Sequence, residues 1–188
     1  MLKIALASIA AFVVIASGLL FYQAGVFDRV KFFEDQKGPY YLVFKEYTGT
    51  YSAVGARIKN VHQYLIESKK VSSVQGGFTI FYDNPVNKSA DSLRSISGVI
   101  TDSLIQVDPP FKSDMFGKSY CIVGKYPLRS FFSYTTGIYK IYGSLEKYTR
   151  SKNTTITGPV MEIIDTEKKA ILYIVPVSAT AALPIYGK

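Results

Sequence analysis

The chain opens with an uninterrupted apolar stretch, residues 4–27, in which no charged side chain occurs over 24 positions. A helix of that length rises ~36 Å, enough to cross a ~30 Å hydrocarbon core with some tilt. Phe21, Tyr22 and Phe27 fall at its C-terminal end, where interfacial aromatic residues gather. Past Asp28 the pattern changes to short apolar runs divided by polar breaks. Residues 40–44 (YYLVF) have strand length. From Ser52 to about Lys69, the residues Val54, Ile58, Val61 and Leu65 recur at helical spacing and predict one buried stripe. After the Gly76-Gly77 break, residues 78–82 (FTIFY) and 95–100 (SISGVI) read as two further strands.

The order then restarts. Residues 118–126 predict a strand, and 136–150 a helix with Ile138, Ile141, Leu145 and Tyr148 on one face and Lys140, Glu146 and Lys147 outward. Gly158-Pro159 breaks the chain before two more strands, 160–164 and 170–177. Each half therefore reads strand, helix, Gly break, strand, strand. Gly77 and Gly158 fall at corresponding points, and the likeness is one of architecture, since residue identity between the halves is slight. The expected fold class is α+β: a tandem, pseudo-twofold β-α-β-β repeat forming an antiparallel sheet with two helices on one face, preceded by one transmembrane helix. Such a pair of units leaves a groove along its seam.

The chain divides on this reading into an anchor (4–27), a polar tether (28–39), a ligand-binding domain (40–177) and a short tail (178–188). A cleavable signal peptide competes with the anchor, favoured by Lys3 and the small residues. The apolar run is longer than a signal core, and no A-x-A site follows it. Lys and Arg flanking the run place the domain on the cytoplasmic side by a small margin.

Composition narrows the function classes. The net charge is +8, but the basic residues are scattered and form no recognition motif, so no nucleic-acid partner is expected. Cys121 is the single cysteine and excludes an internal disulfide; one Cys and one His are too few for a zinc site, and neither metal nor cofactor is expected. His62 lies at the edge of a helical stripe, a position typical of a packed or half-exposed side chain. The 15 Tyr and 12 Phe, with no Trp, suit wet pockets as well as cores.

Three motifs in order carry a resemblance: FYDNP at 81–85, GPVMEII at 158–164 and IVPV at 174–177. With the strand and helix that precede them, they resemble the GyrI-like small-molecule-binding superfamily, which includes the effector-binding domains of multidrug-sensing regulators. The N-terminal anchor, YDNP and SYTTGIYKIYGSLEKY at 133–148 are similar to its membrane-anchored branch, which includes the testis-expressed reticulophagy receptor. That receptor carries a long acidic tail for adaptors. Here 11 residues follow Val177, and adaptor recruitment is not expected.

The resemblance implies an aromatic cage around a buried acid that takes bulky amphipathic cations. The matching acid is Glu162. Alternation alone, with Met161 and Ile163 inward, would turn Glu162 to solvent, whereas the resemblance puts it in the groove. The family's E-x-Y is Glu162-Ile163-Ile164 here, which removes one ring. Tyr82, Tyr47, Tyr134 and Tyr139 are the candidate wall; Asp83 and Asn84 build a turn before Pro85. The expected function is a membrane-tethered binding module for amphipathic, cationic small molecules, with the lipid bilayer as a second partner through residues 4–27. Two alternatives stand beside it. One is a hydrolase of small electrophiles with Glu162 as general base, for which no nucleophile–base–orienter set is visible. The other is a membrane scaffold binding an unspecified protein partner.

Overall fold

The computed structural model describes residues 2–178 except 69, 72, 73 and 131. Of the tail expected over 178–188, all but Ser178 lies outside the described residues. The first helix, α1 (Leu2–Gln23), is followed by β1 (Lys31–Lys37), β2 (Tyr40–Thr48), α2 (Val54–Glu67), β3 (Gly76–Phe81), β4 (Arg94–Thr101), β5 (Lys112–Phe116), β6 (Ser119–Pro127), α3 (Phe132–Lys152), β7 (Val160–Asp165) and β8 (Ala170–Pro176). The strands form one antiparallel sheet in the order β1-β6-β8-β7-β3-β4-β2-β5. The class is α+β, and all six strands expected from the hydrophobic pattern are present.

Two strands were not expected. Residues 31–37, read as part of a polar tether, instead form β1, and 112–116 form β5. Both are edge strands whose side chains are mostly exposed, so their composition carries no alternation. An edge strand is held by backbone pairing on one side and needs little apolar patterning.

Register assigns the faces. Val43, Val99, Gly77, Ile164, Ile171 and Tyr126 are successive cross-strand partners and share one face. Val61 and Leu65 of α2 bury against Val43 and Val99, while Ile138, Ile141 and Leu145 of α3 bury against Ile122, Tyr126 and Ile171. Both helices therefore cover the same face. At Gly77 an added Cβ would sit 2.8 Å from the Ile58 side chain, so the glycine lets α2 settle directly on β3. The opposite face is also dry: Leu42, Phe78, Ile80, Ile96, Val123, Met161 and Ile174 are buried there. Tyr40 on β2 comes within electrostatic reach of Cys121 on β6, though four strands separate them in the sheet. The sheet curls so that this far face covers itself.

α1 is long and apolar enough to cross a membrane, a description that a signal sequence also meets. Its side chains from Ile4 to Tyr22 are almost all exposed. Its C-terminal end is fastened to the domain. Arg129 donates to both Asp28 carboxylate oxygens (2.6 and 2.9 Å) and to the Tyr22 hydroxyl (2.8 Å). Ser130 donates to the Gln23 carbonyl and Tyr126 to the Gly25 carbonyl. Lys140, expected to face solvent, instead donates to the carbonyls of Gly25, Val26 and Asp28. The Gln23 carbonyl in the last turn of α1 and the carbonyls of the turn that follows are the acceptor set for these donors.

Candidate functional site

β7 runs through the middle of the sheet between β3 and β8. At its centre, Glu162 stands opposite Thr79 on β3 and Tyr173 on β8. The three side chains share the face covered by the helices. Glu162 is 1% exposed and Tyr173 is fully buried. Neither Glu162 carboxylate oxygen nor the Tyr173 hydroxyl meets a partner at full hydrogen-bond geometry, although the two groups lie close enough for each to act on the other. Thr79 is engaged sideways with Ser97 at 3.0 Å.

The reading from alternation assumed that only one sheet face is dry, so that Met161 and Ile163 facing inward would send Glu162 out. Met161 and Ile163 do pack into the far-face core. Glu162 is nonetheless buried, because α2 and α3 seal the other face as well.

The roof is α3. At Gly137 an added Cβ would come within 2.3 Å of the Tyr173 hydroxyl. A residue with any side chain there would displace the ring beneath it. One turn earlier, half-buried Tyr134 lies near enough that Glu162 adds to the upward push which burial gives its hydroxyl. Burial raises the Glu162 carboxyl to about 8, and the nearby Tyr173 hydroxyl offsets only part of this. Tyr173 itself is driven well above the ordinary phenol range, first by burial and then by Glu162. A carboxyl in such a place stays protonated at neutral pH, because ionising it without a partner would cost several kcal/mol. An incoming cation would supply that partner.

Next to Glu162, on the same face, Phe81 and Val160 floor a cleft of about 340 Å³ walled by Tyr142, Leu145 and Thr149. Phe81 and Val160 are cross-strand partners two registers from the Thr79–Glu162 pair, which puts both pairs on one face. A second cleft, about 210 Å³, opens between Tyr51, Leu93, Ile138 and Tyr139. An aromatic partition separates them. Tyr51 packs on Phe81 with ring centroids 4.5 Å apart, and the Tyr51 and Tyr142 hydroxyls both donate to the Asp83 carbonyl, at 2.9 and 3.4 Å. Glu162 lines none of the five clefts described for the chain.

The expected wall residues do not converge. Tyr134 is the one that lies at Glu162. Tyr47 and Tyr82 line a different cleft, about 360 Å³, with Glu46, Arg94 and Ser95. The Tyr47 ring is already covered by the Arg57 guanidinium, 4.6 Å from its centroid. Tyr139 is half exposed on the second cleft. The residue that pattern reading missed is Tyr173. Its signal was a lone hydroxyl-bearing ring inside an otherwise apolar strand, AILYIVP. Tyr51 and Tyr142 were missed too, being spaced as ordinary helix and turn residues.

Many tyrosine faces are occupied by the protein's own cations: Arg129 over Tyr22, Lys70 over Tyr64, Lys140 over Tyr126 and Lys152 over Tyr148, besides Arg57 over Tyr47. Five of the 15 Tyr are engaged in this way.

No known family profile and no curated protein matches the sequence. Solved structures do. The C-terminal domain of EcmrR superposes with a TM-score of 0.62 at 10% identity, over 79% of this chain and 98% of that one. EcmrR in its complex with DNA gives 0.64 at 9% identity, over 94% and 69%. A conserved protein from Listeria innocua gives 0.54 at 13% identity, over 80% of this chain and 93% of that one. At such identities the likeness concerns the fold alone.

Proposed function

We propose that the chain is a membrane-tethered binding module for amphipathic, cationic small molecules, admitted beneath α3 to meet the Glu162 carboxyl. The observation that carries this is an acid 1% exposed, neither oxygen of which meets a partner at full hydrogen-bond geometry. Native proteins pair such groups almost without exception, so an unpaired one marks a place kept for something else. The rings of Tyr173 and Tyr134 flank it, and each aromatic face adds about 0.5–2 kcal/mol to a cation. The 340 Å³ cleft over Phe81 and Val160 is the access route in this reading, with α3 lifting to join it to Glu162.

The pseudo-twofold arrangement belongs to the proposal. It is supported by the strand order, in which β2-β4-β3 is answered by β7-β8-β6 and each set carries the helix that follows its first strand. Membrane tethering is supported by the way α1 ends. A leader destined for removal has no need of Arg129, Ser130, Tyr126 and Lys140 all holding residues 22–28. We place the domain on the cytoplasmic side, from the Lys and Arg that follow the span.

The test uses the full chain in detergent and a fluorescent lipophilic cation. Glu162→Gln keeps shape and removes charge, and is expected to weaken binding at least tenfold at pH 8.5 without loss of folded protein. Equal affinity in the two proteins would remove Glu162 from the site.

A further inference from the structure

Three large apolar side chains are left in the open around the root of α1. Val26 is 43% exposed, Phe27 72% and Phe132 58%. They come from segments over a hundred residues apart, brought together by the fastening already described: Ser130 donates to the Gln23 carbonyl at 2.7 Å, and Phe132 begins α3 two residues later. The turn after α1 cannot swing to hide its rings. The Val26 amide donates to the Phe21 carbonyl (3.1 Å), Asp28 to Gly25 (3.0 Å), and Lys140 holds the carbonyls from the other side. Both apolar residues of the turn are thereby pinned outward. Arg29 and Lys31 follow them, both exposed, and Lys31 stands in register with exposed Lys125.

We infer that this collar is a docking surface for the interfacial layer of a lipid bilayer, so that the domain is seated on the membrane rather than swinging from it. The inference rests on α1 spanning that bilayer. The occupant follows from continuity. The exposed apolar side chains of α1, Phe12 at 72% and Leu20 at 65% among them, are followed by exposed Val26 and Phe27 with no charged residue between, so what covers the helix reaches the collar. Aromatic rings mixed with basic side chains at a span's end match the headgroup region, where rings lie among the carbonyls and Lys or Arg meet phosphate. Three rigid fastenings turn the collar toward that plane, and a flexible tether would not. With its root seated, the domain holds its clefts at a constant height above the lipid, where amphipathic cations concentrate.

The chain contains no Trp, so a single substitution is its own probe. Full-length Phe132→Trp, Phe12→Trp and Tyr139→Trp are reconstituted into phosphatidylcholine–phosphatidylglycerol vesicles. Some of these carry bromine at shallow and some at deep acyl positions, and aqueous iodide is titrated in parallel. Phe132→Trp is expected to lose at least half its emission to shallow bromine and to be shielded from iodide, Phe12→Trp to respond to deep bromine, and Tyr139→Trp to iodide only. Phe132→Trp that answers iodide and ignores bromine, while Phe12→Trp is still quenched, overturns the seated base and leaves the anchor intact. Loss of bromine quenching in Phe12→Trp as well overturns the anchor and this inference together.

Discussion

Asp83, just past β3, and Glu162, on the neighbouring strand β7, are two carboxylates that the protein treats in opposite ways. Asp83, just past the end of β3, accepts from the Arg94 amide (2.7 Å), from Arg94 Nε and a terminal guanidinium nitrogen (3.0 and 2.9 Å), and pairs with Lys88 at 2.9 Å. Those donors hold it well below the usual carboxylate range. Neither Glu162 oxygen meets a partner at full hydrogen-bond geometry, and burial carries its carboxyl up to about 8 against a partial offset from the nearby Tyr173 hydroxyl. The first acid builds a turn: its own carbonyl also receives the Tyr51 and Tyr142 hydroxyls, and the strand end is locked. The second makes no such ties, so satisfaction of polar groups separates the two acids.

The largest effect that would break this contrast is in the dependence of stability on pH. The Glu162 carboxyl holds its proton longer in the folded chain than in the unfolded one, where its ordinary value is 4.5. Its contribution is therefore complete below about pH 4.5 and is lost as pH rises through about 8, by at most about 5 kcal/mol at 1.36 kcal/mol per unit. Denaturant unfolding of the full chain in micelles should show that decline, and Glu162→Gln should flatten it. A wild-type profile level from pH 5 to 9 would mean that Glu162 already has a partner.

Next in size is Gly137→Leu. The added side chain meets the Tyr173 hydroxyl and should cost about 1–3 kcal/mol by overpacking, together with uptake of a lipophilic cation, measured by the same titration. If stability and binding are unchanged, α3 is not the roof over Glu162.

Asp83→Asn probes the other member of the pair. Its folded pKa is depressed, so its contribution is present above its ordinary value of 3.8 and disappears as pH falls below it. The variant should melt lower at pH 7 while retaining the alkaline decline that Glu162 produces. Loss of that decline in Asp83→Asn would show that the two acids are coupled and spoil the comparison.

The smallest effect has an unusual sign. The Tyr173 hydroxyl is buried and meets no partner at full hydrogen-bond geometry, so Tyr173→Phe should be neutral or stabilising by up to about 1 kcal/mol. Because that hydroxyl also pulls the Glu162 pKa down, the alkaline decline should move to higher pH in the variant. Destabilisation by Tyr173→Phe, with no such movement, would show the hydroxyl to be bonded after all.

Much of this molecule can be read from residue order. The helical spacing of Val54, Val61 and Leu65, and of Ile138, Ile141 and Leu145, places α2 and α3 to within a few residues, and all of these are buried. Six apolar runs give six strands. β1 and β5 are silent in the pattern because an edge needs only backbone hydrogen bonds, and KFFEDQK reads as a linker until β6 is seen beside it. Lys140 likewise looks like a surface charge, and only the turn after α1 supplies the carbonyls that bring its ammonium inward.

Local spacing settles which segments are helix or strand, because periodicity is a property of neighbours along the chain. It also singles out Glu162 as an acid in an apolar strand. Whether that acid meets water depends on what lies above and beside the strand, and those neighbours are Tyr173, Gly137 and Tyr134, between 11 and 28 positions away in the chain. Burial is set by all the elements that converge on a point, and a sheet covered on both faces hides its odd and even residues alike. Only the assembled fold could therefore bury the acid at the centre of β7 between two covered faces of the sheet.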